Sequence, residues 1–274
     1  MPGHTDNVDQ RTGRSTAMFD FTGKHVLITG AAAGIGFGIT KCFHDAGANV
    51  SLGDFRPEAL DSALSQLEPG RSYGYTVDVR DEELVDNFVH AAEQEFGPVD
   101  IVIANAGVIP SVSVVNMTVE DWDRVMDTNA RGCFLTCRAG ARSMLANETR
   151  GKIITVSSIA ADAARTDASH YCASKAAIVQ FSKSLALEMS KHRINVNIIK
   201  PGYVEVESDV SPLSEEYKEI TRQGIPLGRP GRPDDIGNMA LFLASEYAEH
   251  ITGESFVVAG GASAGRANLP PAQP

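Results

Sequence analysis

From about residue 24 onward the chain alternates between two spacings of apolar residues. Short runs rich in Val, Ile and Leu, apolar at most positions rather than at every second one, fall at 25–29, 49–53, 73–77, 101–104, 152–156, 195–199 and 255–258. Such runs suit strands covered on both faces, because a strand with one wet face shows polar residues at alternate positions. Between them, the stretches 36–46, 57–67, 81–96, 119–145, 169–192 and 233–244 repeat their apolar residues with helical spacing. Strand and helix in alternation, joined by right-handed crossovers, predict an α/β doubly wound fold with a seven-stranded parallel sheet in a single domain. Ligands of such a sheet are expected beyond the carboxyl ends of its strands.

The ends and one internal stretch leave this rhythm. Residues 1–20 are polar and aperiodic, and they read as a flexible leader without chemistry; the domain proper is expected over 21–262, with a tail at 263–274. Residues 203–227 interrupt the alternation after the sixth strand, as a substrate lid would. Glu205, Glu207 and Asp209 make that stretch acidic, which suits a neutral hydroxylated substrate such as a polyol or sugar and equally suits a solvated loop.

Composition narrows the function classes. With 274 residues, 43% hydrophobic and 22% charged, the chain can bury one large core without disulfides or a structural metal. The 24 basic and 35 acidic residues leave a net charge of −11, which repels nucleic acid. No run approaches the roughly 18 apolar residues of a membrane span, so no membrane partner is expected. Cys42, Cys133, Cys137 and Cys172 form neither a CxxC pair nor a disulfide framework, and a reducing cytoplasm fits them.

Two motifs carry candidate chemistry. Directly after the first strand stands Thr29-Gly30-Ala31-Ala32-Ala33-Gly34-Ile35-Gly36, opening the first helix. Its glycines let backbone approach a pyrophosphate, whose charge a helix N-terminus favours, although a glycine turn alone can be purely structural. Asp54 follows at the end of the second strand, where a carboxylate accepts from a ribose 2′-hydroxyl and repels a 2′-phosphate. This points to NAD, with NADP disfavoured, although Arg56 offers a cation nearby. The second motif is Tyr171-Cys172-Ala173-Ser174-Lys175. Four residues put Tyr171 and Lys175 on one helical face, where an ammonium lowers a phenol pKa from its ordinary value of about 10. An exposed pair at this spacing would mean nothing, but Ser157 and Ser158 end the fifth strand at the same edge of the sheet.

Taken with Asp78-Val79, Asn105-Ala106-Gly107, Asn129 and Pro201-Gly202, all in the same order along the chain, these motifs resemble those of the classical short-chain dehydrogenases/reductases over about residues 20–262. The resemblance implies a Rossmann-type fold and an NAD(P)-dependent oxidoreductase, a short-chain alcohol dehydrogenase or carbonyl reductase. It implies Tyr171 as general acid/base, Ser158 as the hydroxyl that orients substrate with Ser157 the lesser candidate, Lys175 as partner of Tyr171 and of the nicotinamide ribose, and Asn129 behind Lys175. It further implies Gly30, Gly34, Ile35 and Gly36 at the pyrophosphate, Asp78 and Val79 at the adenine, Asn105, Ala106 and Gly107 on the adenosine side, and Pro201, Gly202 and Val204 beside the nicotinamide. The expected partners are a small alcohol or ketone and further copies of the chain, as a homotetramer built on the two long helices.

The sequence departs from this pattern where a threonine is usual after Pro201-Gly202, since Val206 cannot donate to a carboxamide. The alternatives are a non-catalytic dinucleotide-binding protein of the same fold and an enoyl reductase, whose tyrosine and lysine stand farther apart. His170, adjacent to Tyr171, is read as a bystander, because neighbours on a helix point about 100° apart.

Overall fold

All seven apolar runs form strands, and they lie parallel in one sheet of order β3-β2-β1-β4-β5-β6-β7. The computed structural model describes residues 18–206 and 214–265, so most of the leader, residues 207–213 of the expected lid and the tail from 266 lie outside the described residues. The strands are β1 (His25–Thr29), β2 (Asn49–Asp54), β3 (Ser72–Thr76), β4 (Ile101–Ala104), β5 (Lys152–Val156), β6 (Asn195–Pro201) and β7 (Ser255–Val258). The helices are α1 (Gly34–Asp45), α2 (Pro57–Leu64), α3 (Glu82–Phe96), α4 (Val119–Val125), α5 (Gly132–Ala146), α6 (Ser169–Met189), α7 (Glu215–Gln223) and α8 (Pro233–Ala244). This is a single Rossmann-like domain. The chain builds outward from β1 to β3, then crosses back through α3 to pair β4 with β1, opposite β2. Thr29 stands in register with Gly53 on one side and Ala104 on the other, so the strand order reverses at the end of β1. Ligands of doubly wound sheets lie in the crevice that this reversal opens.

The continuous apolar runs have the cause expected of them. Within β1, Val26 and Ile28 pack with Ile39 and Phe43 of α1, Leu60 of α2 and Ile236 of α8. Leu27, between them, packs on the opposite face with Phe88 of α3, Leu135 of α5 and Ile178 of α6. Both faces are thus dry, and period-2 alternation has no wet side to record. The edge strands β3 and β7 are only half-buried, a departure from the uniform burial expected of all seven runs.

Two expectations are corrected. The stretch 119–145 is not one helix: α4 and α5 are separated by a π-helical turn, Met126–Arg131, holding the buried Asn129. Its extra residue per turn is offset by the hydrogen bonds of Asn129, and the apolar period runs through it without a visible break. The stretch 203–227 is not all loop, since it contains α7, whose Arg222 ion-pairs with Glu205 just after β6. Among the described residues no helix is long and apolar enough to cross a membrane.

Candidate active site

The turn after β1 is built by glycines with different tasks. Gly30 and Gly34 have φ of +63° and +56°, a region that side-chain-bearing residues rarely enter. A Cβ on Gly36 would stand 1.9 Å from the Gly30 carbonyl oxygen and 2.5 Å from Asn105 Nδ2, so only glycine lets α1 start against the turn. Ala33 is the N-cap of α1, and its methyl cannot cap the first-turn N–H groups. Those donors, beside the half-buried Ile35, form a cradle that fits an anionic pyrophosphate.

Asp54, 3% exposed, leans on this cradle: Ala32 N–H donates to its Oδ2 at 3.1 Å. Arg56 donates to Oδ1 through its backbone N–H and its Nε, both at 3.2 Å. The cation expected to be open to a 2′-phosphate is therefore engaged by the carboxylate that repels one. Asp78 is likewise held, by the Arg80 guanidinium and backbone N–H, which keep its carboxyl below the usual range. Val79 packs on Gly132, where a Cβ would meet its Cγ2 at 2.6 Å. Asn105 turns inward and donates to the carbonyls of Thr29 and Gly30, both at 3.0 Å, stapling β4 to the glycine turn. A Cβ on Gly30 would stand 2.8 Å from Ala106 Cα.

The second cluster forms where β5 meets α6. Ser158 caps a short 3₁₀ turn, Ile159–Ala161, with Ala160 N–H donating to its Oγ at 3.1 Å. Ala160 packs with Ala168, Val125 and Tyr171, which brings the tyrosine against the turn that Ser158 heads. Tyr171 and Lys175 are each 4% exposed, and the Lys175 Nζ stands 5.7 Å from the Tyr171 ring centroid. Lys175 donates to the Val156 carbonyl at 2.9 Å, and burial pushes its ammonium down from 10.5 to about 8. Ser157, the lesser candidate, is occupied: its hydroxyl donates to the Lys175 carbonyl at 2.8 Å.

Asn129 reaches this cluster through the π turn. Its Oδ1 accepts from Val108 N–H at 2.8 Å, and its Nδ2 donates to the Val108 carbonyl and to Ser174 Oγ, both at 3.0 Å. Ser174 in turn donates to the Tyr171 carbonyl at 2.8 Å. Gly107 closes the space between: a Cβ there would lie 3.1 Å from Asn129 Oδ1 and 3.5 Å from Lys175 Nζ. The only sequence signal for Ser174 is its place inside the Tyr171–Lys175 interval. His170 is buried with Asp121 and Arg124 of α4 as its charged neighbours, and burial lowers its pKa.

The segment after β6 roofs the crevice. Pro201 ends β6, Gly202 N–H donates to the Val258 carbonyl, and a Cβ on Gly202 would meet that of Ala259 at 2.8 Å. Val204 forms a bridge with Gly231, and Val206 lies 3.6 Å from where a Cβ on Gly34 would be. The structure thus joins the glycine turn, Asp54 and the Ser158–Tyr171–Lys175 cluster along one edge of the sheet, with Val206 above the turn. A phenol hydroxyl beside a buried ammonium at such an edge can exchange a proton with a bound oxygen.

A family model described as enoyl-(acyl carrier protein) reductase matches residues 30–263. The chain is 35% identical over 241 residues to a 3-oxoacyl-(acyl-carrier-protein) reductase, FabG, of Thermotoga maritima, covering 87% of this chain and 97% of that protein. It is 35% identical over 243 residues to an NAD-dependent glycerol dehydrogenase of Listeria innocua, covering 89% and 95%. The crystal structure of a short-chain type dehydrogenase/reductase from Mycobacterium marinum superposes with a TM-score of 0.83 at 34% identity, over 89% of this chain and 97% of that one.

Proposed function

The chain belongs to the short-chain dehydrogenase/reductase family of NAD(P)-dependent oxidoreductases, and from that premise we propose that it interconverts a secondary alcohol and a ketone with NAD. The observation that carries this reading is the Lys175 ammonium, buried on one face of α6 beside Tyr171 and opposite the turn of Ser158. The four-residue interval supports carbonyl chemistry over enoyl reduction. Both relatives named above act between hydroxyl and oxo groups, and neither is a non-catalytic protein.

A nicotinamide held at this site would supply or accept the hydride. In the reducing direction negative charge develops on the carbonyl oxygen, where a hydrogen bond from Ser158 Oγ–H and proton donation from Tyr171 Oη stabilise it. Ser158 Oγ accepts from Ala160 N–H, which leaves its own hydrogen free to point at that oxygen. Lys175 Nζ lowers the cost of the phenolate that Tyr171 becomes, and the low-dielectric surroundings strengthen that attraction. Asn129, through Ser174 and Val108, holds the first turns of α6 against the loop after β4, so that Tyr171 and Lys175 keep their facing.

Gly30, Gly34, Ile35 and Gly36 would hold the pyrophosphate and Asp54 the adenosine ribose; Asp78 and Val79 would flank the adenine, and Pro201, Gly202 and Val204 the nicotinamide. The buried Asp54 carboxylate supports NAD over NADP, and the NAD-dependent relative agrees. A neutral polyol or sugar is the proposed substrate class, supported by the glycerol dehydrogenase among the relatives. Four free cysteines support a reducing cytoplasm as its compartment.

The test is nicotinamide absorbance with NAD and NADP, in both directions, against polyols, sugars, secondary alcohols and β-keto esters. Tyr171→Phe should lose about 10²- to 10⁴-fold in turnover and still bind dinucleotide. Undiminished turnover in that variant would overturn the assignment.

A further inference from the structure

The mechanism above leaves one buried cation without a task. Lys200, on β6 immediately before Pro201, is 8% exposed. Alternate residues of a strand face opposite layers. Val196 packs among α3, α5 and α6 and Ile199 among α1 and α8, so Lys200 faces the layer of α6, the side of Ser158 and Tyr171. Its Nζ donates to Asp162 Oδ2 at 2.5 Å, while the Asp162 side chain remains 59% exposed.

Asp162 is the residue that closes the 3₁₀ turn Ile159–Ala161, its N–H donating to the Ile159 carbonyl at 3.1 Å. Ser158 is the residue that opens the same turn, through both its Oγ and its carbonyl, which accept from Ala160 and Ala161 N–H at 3.1 Å each. One short turn therefore carries the proposed substrate-orienting hydroxyl at its head and an ion-paired carboxylate at its foot. A 3₁₀ turn of three residues has few and poorly aligned hydrogen bonds of its own, so its attitude depends on what holds its ends. An apolar residue would fill the Lys200 position without the cost of taking an ammonium out of water. An ion pair with one buried and one largely exposed partner is a weak source of stability, and the better-attested service of such pairs is to fix one geometry among several.

We propose that Lys200 is a positioning residue for Ser158: its ion pair with Asp162 anchors the foot of the turn and thereby sets where the Ser158 hydroxyl stands. The inference rests on the reading of Ser158 given above.

The experiment measures kcat and KM at saturating dinucleotide, on whichever panel alcohol the wild type oxidises, for Lys200→Met, Lys200→Arg and Asp162→Ala. Lys200→Met and Lys200→Arg are also made in a Ser158→Ala background, and NADH affinity is followed by fluorescence titration. Displacement of a reacting group by about 1 Å costs up to about 10²-fold, so Lys200→Met and Asp162→Ala should lower kcat by about 10- to 100-fold and leave NADH affinity within about twofold. Lys200→Arg keeps the ion pair and should stay within about threefold of wild type. With Ser158 already replaced, Lys200→Met should cost less than about twofold more, because nothing is left to position.

Wild-type kcat in both Lys200→Met and Asp162→Ala, or the same loss recurring in the Ser158→Ala background, would overturn the proposal. Should Lys200→Met fail to fold, Asp162→Ala decides, since it alters a largely exposed side chain. Loss of turnover in Tyr171→Phe and Ser158→Ala together with normal Lys200→Met and Asp162→Ala would overturn this inference and leave the reading of the site standing. Normal turnover in Ser158→Ala would overturn both.

Discussion

The Lys175 ammonium donates its 2.9 Å hydrogen bond to the carbonyl of Val156, the residue that ends β5 two positions before Ser158. The cation at the centre of the proposed chemistry is thus moored to the strand that leads to Ser158, and Ser157 moors the carbonyl of Lys175 in return. These two bonds fix strand end and helix face relative to each other.

Stability should report the burial of Lys175. Burial lowers its pKa from 10.5 to about 8, with nearby Cys133 acting in the opposite sense. The unfolded chain titrates near the ordinary value, so between these limits it binds more protons than the folded one. The unfavourable contribution is then fully present below about pH 8 and is relieved as pH rises towards about 10.5. Urea unfolding across that window should show wild type gaining stability relative to Lys175→Met. Parallel pH profiles for the two proteins would refute this.

Cofactor choice should turn on Asp54. Replacing it with Asn removes the repulsion of a 2′-phosphate and releases Arg56, which it now holds at 3.2 Å, to meet that phosphate. The ratio of NADP to NAD affinities should rise by about tenfold or more, equivalent to about 1.4 kcal/mol. Calorimetric titration of both dinucleotides is the check, and an unchanged ratio would remove Asp54 from the discrimination.

The π turn should be the structural cost of removing Asn129. Asn129→Ala leaves the Val108 N–H and carbonyl and the Ser174 hydroxyl without the partner that spans them. Each buried polar group left unmatched costs about 1–3 kcal/mol, so unfolding free energy should fall by at least that much. Chemical denaturation measures it directly, and a loss under about 0.5 kcal/mol would mean that the turn does not depend on this side chain.

Assembly is expected through α5 and α6. Phe134 is 39% exposed, pairs edge-on with Phe181 at 5.9 Å between ring centroids and carries Arg138 over its face, and Leu187 farther along α6 is 79% exposed. Apolar surface of this kind on two adjacent helices calls for a partner. Sedimentation should give about four times the 29.2 kDa chain mass, and Phe134→Asp should lower it. A 29.2 kDa species for wild type at micromolar concentration would refute the assembly.

Much of this architecture follows from local pattern. The inner strands lie within a residue or two of their apolar runs, because burial on both faces demands an unbroken run. The glycine turn, Asp54 and the Tyr171–Lys175 interval are contiguous or nearly so, and short-range geometry alone puts them at strand ends and on one helical face. The π turn at Asn129 was not visible, since the reason for it lies 21 residues away at Val108 and 45 away at Ser174. The engagement of Arg56 by Asp54 was likewise open, because a cation two residues from a carboxylate can face either the carboxylate or a ligand.

The order of elements, the parallel sheet, the glycine turn and the Tyr171–Lys175 face are legible along the chain, because periodicity and turn chemistry are local properties. Tertiary structure decided which of two adjacent serines is occupied by Lys175 and which heads a turn against Tyr171. It also decided that Lys200 is joined to Asp162, 38 residues earlier in the chain. Such assignments depend on hydrogen bonds and burial between elements remote in sequence, and those exist only once the layers have closed on the sheet.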